Sequence, residues 1–151
     1  MNYWLLKSEP GDYSIDDMER DKRTMWDGVR NYQARNFMRD EMKVGDLAFF
    51  YHSNANPPGI VGIVKICSNP YPDPTAFNKR DSHYDAKSKK ENPTWILVDV
   101  CFMKKFKEMS TLDELKFNPK FEDMMVTKKG MRLSVQPVSE KHYKKILKLA
   151  K

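Results

Sequence analysis

The stretch Leu47-Ala48-Phe49-Phe50-Tyr51-His52-Ser53, followed across Asn54-Ala55-Asn56-Pro57-Pro58-Gly59 by Ile60-Val61-Gly62-Ile63-Val64-Lys65-Ile66-Cys67, decides the fold. Both segments are dense in β-branched and aromatic residues, and a short Pro-Pro-Gly loop separates them, so they read as an antiparallel strand pair. The second is apolar at both parities, as a strand covered on both faces requires. Gly62 in its middle predicts a bend, a bulge or another group lying close to the backbone.

On the N-terminal side, Asn2–Lys7 reads as a strand ended by Ser8-Glu9-Pro10-Gly11. Ser14, with Asp17 three residues on, signals the cap of a short helix through about Arg20. Asp27-Gly28 makes a turn, and Asn31 caps a longer helix to about Lys43 whose apolar stripe is Ala34, Phe37, Met38 and Met42. On the C-terminal side, residues 68–93 hold four prolines and form a long loop with one helical turn after Pro74. A loop of that length is expected to cover or build a site. Trp95–Phe106 is the longest strand expected, Ser110 caps a helix to about Phe117, and Leu133–Val138 is the last strand. Ser139 caps a terminal helix with Tyr143, Ile146, Leu147 and Ala150 inward and Lys141, Lys144, Lys145 and Lys148 on the opposite face. Five or six strands with three or four short helices predict an α+β fold, a small, strongly curved sheet or barrel with peripheral helices. No repeat or linker divides residues 1–151, which are expected to form one domain.

Hydrophobic residues make up 40% of the 151 positions and aromatic residues 12%, which excludes a disordered chain. No apolar run approaches the ~18 residues of a membrane span, and the N-terminus has no basic region ahead of its short apolar stretch. An intracellular protein without a membrane partner is expected, cytoplasmic in a prokaryote or nuclear in a eukaryote. Cys67 and Cys101 lie in separate apolar runs and are expected as buried, reduced thiols, with a disulfide framework or zinc site excluded. Residues 1–75 carry a net charge of −2 and residues 76–151 a net of +8. That asymmetry suits a polyanionic partner such as nucleic acid.

Catalytic signals are thin. Ser8-Glu9 and His52-Ser53 supply nucleophile, base and acid types, but neighbours on a strand point to opposite faces, so His52 is badly placed to activate Ser53. A site built from Ser8, His52 and a carboxylate would have to be assembled across the fold, with no nucleophile elbow to mark it. Three scattered histidines offer no metal spacing, and no Walker or dinucleotide loop is present, so no metal and no cofactor are expected.

Binding signals are denser. Trp26-Asp27-Gly28-Val29-Arg30-Asn31-Tyr32 gathers two aromatic residues, an arginine and an asparagine around a turn that feeds a helix N-terminus. Lys7-Ser8 and His52-Ser53 both end strands, where side chains reach a barrel mouth. Three such segments converging would form an aromatic-floored pocket edged by hydrogen-bonding groups.

The same segments carry a family resemblance. Trp4-Leu5-Leu6-Lys7-Ser8-Glu9-Pro10, the run from Trp26 to Phe37, Phe49-Phe50-Tyr51-His52-Ser53, Gly59-Ile60-Val61-Gly62, Tyr71-Pro72-Asp73-Pro74-Thr75, Trp95–Val100 and Arg132–Pro137 resemble EVE-domain proteins, in order along nearly the whole chain. Residues 118–130 depart from the pattern, being Lys- and Met-rich where a variable loop is expected. The resemblance implies a PUA-like β-barrel and a pocket that reads a modified nucleobase, with methylated or hydroxymethylated cytosine in DNA, ahead of RNA, as the leading ligand. It brings no established catalytic activity. The pocket residues it implies are Trp4, Lys7, Ser8, Trp26, Gly28, Val29, Arg30, Asn31, Tyr32, His52 and Ser53. In that reading Trp26 and Tyr32 stack, Asn31 and Ser8 read base edges, and Arg30 and Lys7 meet phosphate. A binder of a free modified nucleoside or other small molecule, or a hydrolase acting on modified nucleotides, are the alternatives.

Overall fold

The computed structural model describes residues 1–150. Its strands are β1 (Tyr3–Ser8), β2 (Arg23–Met25), β3 (Leu47–His52), β4 (Gly59–Ile66), β5 (Tyr71–Pro72), β6 (Ile96–Leu97), β7 (Asp99–Thr111) and β8 (Val135–Val138). The helices are α1 (Ile15–Asp21), α2 (Tyr32–Asn36), α3 (Leu112–Phe117) and α4 (Glu140–Leu149). Six strands form one sheet in the order β2-β7-β4-β3-β1-β8, curled into a half-barrel, and β5 pairs with β6 apart from it. The expected curved sheet with peripheral helices is present, although β2 and β8 stay as open edges. β1 and β3 run parallel, and every other pair in the large sheet is antiparallel.

Both faces of the sheet are covered, and alternation along the strands feeds two cores. Trp4 and Leu6 of β1, Ala48 and Phe50 of β3, and Val64 and Ile66 of β4 meet Ile15 and Met18 of α1, with Ala34, Met38 and Met42 beside them. Leu5, Phe49, Tyr51, Ile60, Ile63 and Phe106 meet Leu115 of α3 and Tyr143 and Ile146 of α4 on the other side. Each Val, Leu, Ile, Phe or Met side chain among them contributes about 1.5–3 kcal/mol when removed from water. The β4–β7 register slips between Ile60 and Gly62 and again between Ile63 and Val64. Those bulges put Ile60 and Ile63 on the same face, three positions apart. Gly62 lies against the Lys104 carbonyl and Ile15, so any side chain there would overlap them.

The helix caps form largely as the sequence predicts. Ser14 and Asp17 make a reciprocal capping box, Asn31 accepts from the Ala34 N–H, and Ser139 accepts from the His142 N–H. The helix after Asn31 changes character midway: α2 gives way to a π-helical turn over Phe37–Glu41.

Several expectations need correction. The strand expected over 95–106 splits at Val98, and its second part continues to Thr111, whose hydroxyl rather than that of Ser110 caps α3. β2 has no hydrophobic signature. It exists because its three residues pair with β7 and the Arg23 guanidinium grips Asp99 at 2.8 Å. In α4 the buried inward positions are His142, Tyr143 and Ile146, whereas Leu147 is exposed. Cys67 and Cys101 are not separate buried thiols. The β4–β7 ladder sets Lys65 opposite Cys101 and brings the two cysteines to a Cα–Cα distance of 6.1 Å, where the structure joins them as a half-buried disulfide. Sequence separation hid a pairing that strand register creates.

Candidate functional site

At the C-terminal end of β1 the chain leaves the sheet, and the segments 24–30, 82–83 and Ser134 come up beside it. Together they enclose a cavity of about 690 Å³, a size suited to a small organic ligand. Lys7, Ser8, Trp26, Gly28, Val29 and Arg30, six of the residues expected at the site, line it. Tyr13, Thr24, Asp27, Ser82, His83 and Ser134 line it as well and were not singled out by the sequence.

Trp26 is the floor. It is 7% exposed, its ring edge-on to Phe50 at 5.5 Å and its backbone N–H bound to the Val98 carbonyl. Most of the indole is therefore core, and only a small part faces the cavity. The indole nitrogens of Trp4 and Trp95 donate to Asp46 and Asp85. Among the described residues Trp26 Nε1 has no such partner, and it is not sealed from solvent. The Trp26 indole N–H is thus left free for an acceptor from outside the protein.

Gly28 has φ +78°, the left-handed region, and the His83 imidazole lies where its side chain would stand, within 2.6 Å of a β-carbon. Only glycine satisfies both conditions. The turn is locked from behind by Asp73, which is 1% exposed. Asp73 accepts from the Gly28 N–H at 2.9 Å, from Arg30 Nη1 at 3.0 Å, and from the Thr75 N–H and hydroxyl. Burial alone would raise its carboxyl pKa, but the hydrogen bonds from Thr75, Gly28 and Arg30 outweigh it and hold it below the usual range. Asp27 is the opposite case. Although exposed as a residue, its carboxyl has enough protein around it that desolvation, followed by repulsion from Asp73, raises its pKa, with His83 opposing.

Arg30 does not present its fork to solvent. Its Nε and Nη2 donate to the His83 carbonyl, Nη2 also reaches Thr75 Oγ1, and Nη1 reaches Asp73 and the Val29 carbonyl. Its guanidinium also lies over the Trp95 ring. Arg30 ties the 73–83 loop to the turn. Lys7 reaches the Met131 carbonyl at 3.2 Å, and burial lowers its pKa. The Ser8 hydroxyl donates to the Tyr13 carbonyl at 2.6 Å and keeps its lone pairs for another donor.

Five expected site residues stand outside the cavity. Trp4 is 2% exposed in the core, anchored on Asp46. Asn31 is occupied as the cap of α2. Tyr32 is 60% exposed, yet one side of its ring stacks on Trp95 and the Arg35 guanidinium sits 4.9 Å from its centroid. Ser53 donates its backbone N–H to the Ser8 carbonyl beside the cavity wall. His52 is the register partner of Ser8 on the parallel strand, but its Nε2 accepts from the Ile15 N–H at 3.1 Å. With that nitrogen taken and the Ser8 hydroxyl turned to Tyr13, the two make no proton-relay pair.

The EVE domain family matches residues 2–149. The chain belongs to the EVE-domain family. This EVE domain is 46% identical to thymocyte nuclear protein 1 of Rattus norvegicus over 168 residues, covering 98% of this chain and 73% of that protein. Among solved structures it is similar to a protein from Pseudomonas syringae, with a TM-score of 0.94 and 47% identity over 97% of this chain and 98% of that one. It is also similar to the human THYN1 protein solved in complex with DNA containing 5-methylcytosine, with a TM-score of 0.91 and 42% identity over 99% of this chain and 97% of that one.

Proposed function

We propose that this EVE domain, acting as one domain over residues 1–151, is a non-catalytic reader of a modified base in DNA, with methylated or hydroxymethylated cytosine as ligand. The base leaves the stack and enters the Trp26 cavity. The observation that carries the reading is that cavity: an indole floor with a free N–H, walled by Ser8, Asp27 and His83. The human THYN1 complex with 5-methylcytosine DNA supports the choice of ligand. The name of the rat relative, a nuclear protein, supports an intracellular setting, and no helix among the described residues is long and apolar enough to cross a membrane.

Magnitudes limit what the cavity can do alone. Turning a base out costs a few kcal/mol, and contact with an aromatic ring returns about 1–3 kcal/mol. A buried methyl adds only about 0.8 kcal/mol, roughly a fourfold preference. Net affinity must therefore come from phosphates. Two exposed basic segments lead into the cavity wall: Lys79 and Arg80 precede Ser82 and His83, and Lys128, Lys129 and Arg132 precede Ser134. Titrating oligonucleotides that differ only by a 5-methyl group, across a salt series, tests the reading. A several-fold preference for the methylated strand, with affinity falling steeply as salt rises, is expected. Equal binding of methylated, unmethylated and abasic strands would contradict it.

A further inference from the structure

A pocket that recognises 5-methylcytosine by its methyl group alone has a competitor in every stretch of DNA, because thymine carries the same C5 methyl. The two bases differ at position 4, where cytosine presents an amino donor and thymine a carbonyl acceptor. They differ also at N3, an acceptor in cytosine and an N–H donor in thymine, and a base turned out of the stack shows both positions. Reading position 4 needs an acceptor that is fixed in the cavity and not already satisfied by the protein.

We infer that Asp27 is the residue by which this cavity separates an amino-bearing pyrimidine from its keto counterpart, its carboxylate accepting from the exocyclic amino group and repelling a carbonyl at the same place. The inference rests on the base-reading function proposed above. Four observations point to Asp27. Its position lines the cavity between Trp26, the floor, and Gly28, the turn. Among the described residues no other side chain hydrogen-bonds its carboxyl, which is perturbed only by burial, by charges and by its own backbone N–H. The neighbouring carboxylate, Asp73, is by contrast saturated by Gly28, Arg30 and Thr75 and sealed from solvent. Finally, the turn that aims residue 27 is fixed from behind by Asp73 and held against the His83 ring, so its placement costs little to maintain on binding. Asp73 builds the turn and Asp27 is presented by it.

Two other carboxylates, Glu9 and Asp12, line the cavity from the turn after β1, and Glu9 accepts from Asn54. Of the three, only Asp27 adjoins the Trp26 floor along the chain and sits on the turn locked by Asp73. Trp26 Nε1 and the Lys7 ammonium are donors, and Ser8 can act either way.

The test is a competition titration of the full chain with oligonucleotides identical except for 5-methylcytosine, cytosine or thymine at one position, using wild type, Asp27→Asn and Asp27→Ser. Thermal melts confirm that each variant is folded. Wild type is expected to favour 5-methylcytosine over thymine by roughly tenfold to a hundredfold, the range of a good base-edge contact. In Asp27→Asn the amide can turn its donor towards the thymine carbonyl, so the ratio falls to within about threefold, while the preference for 5-methylcytosine over cytosine persists. Asp27→Ser, too short to reach, gives the same collapse. A 5-methylcytosine-to-thymine ratio unchanged in both variants overturns the role of Asp27 and leaves base reading standing. Wild type that binds 5-methylcytosine and thymine alike, both above cytosine, also overturns it. Wild type indifferent to all three bases overturns the reading itself.

Discussion

One run of sequence divides into two regions with opposite duties. Residues 26–29 lie along the cavity: the Trp26 floor, the Asp27 carboxyl without a side-chain partner, the left-handed turn at Gly28 and Val29. Residues 30–36 turn inward or cap: Arg30 ties down the loop, Asn31 caps α2, Tyr32 stacks on Trp95, and Ala34 is fully buried. The boundary falls at Arg30, which lines the cavity while its guanidinium is consumed by four protein partners. Residue type did not separate the two halves, since each has an aromatic ring and a polar side chain. Hydrogen-bond partnership did. A polar group saturated by the protein builds the site, and one left unsaturated beside the cavity is available to a ligand.

The largest effect should come from the building half. Arg30→Ala leaves the buried Asp73 carboxylate without its cation and frees the His83 loop, and stability in urea should fall by about 3–5 kcal/mol. The loss should appear with or without DNA. On the presenting half, Trp26→Phe keeps the packing against Phe50 but removes the free N–H. Binding of the methylated strand should weaken about tenfold, with stability lowered by at most about 1 kcal/mol. Tyr32→Ala is the matching control: loss of the stack on Trp95 costs roughly 0.5–1.5 kcal/mol of stability, and methyl preference stays within twofold of wild type. If Tyr32→Ala abolished the preference while Trp26→Phe spared it, the two halves would have to exchange roles.

The smallest effect is a pH dependence of the building set. Burial, reinforced by Lys105 and opposed by Asp16, lowers the His52 pKa below its ordinary 6.5. The folded protein therefore holds this histidine neutral, and the unfolded chain takes up the proton first. The stability it contributes is complete above pH 6.5 and is lost as pH falls through the lower folded value. Protonation also removes the acceptor for the Ile15 N–H at the start of α1. The melting temperature should drop by a few degrees on acidification below that point, and His52→Gln should flatten part of the drop. His142, lowered by burial and by Lys141 and Lys145, accounts for a remainder in the same direction.

Much of this fold is legible before any coordinates, because local chemistry dictates it. The capping pair Ser14–Asp17, the Asn31 cap and the Leu47–Cys67 hairpin each follow from residue type and spacing, and each is present. What long-range partners impose is not legible. β2 exists only through β7, the Cys67–Cys101 pair only through strand register, and the burial of Asp73 only because Gly28 and Arg30 fold over it. The unusual length of the 68–93 loop marked it as a site builder. That Asp73, Thr75 and His83 carry the role could not be read from a Pro-rich, charged segment. Trp26 and Tyr32 looked equivalent as flat rings, and packing alone tells them apart, one closed around by core and the other pinned on the surface.

The central claim is that a single modified base occupies the cavity floored by Trp26. A crystal structure of this chain with a short DNA carrying one 5-methylcytosine tests it most directly. The account predicts the methylated ring turned out of the helix and lying within about 4 Å of the Trp26 indole, ordinary van der Waals contact, with Lys79, Arg80 or the 128–132 segment against the flanking phosphates. A 5-methylcytosine still stacked in the duplex, or held elsewhere with the cavity unfilled, would contradict it.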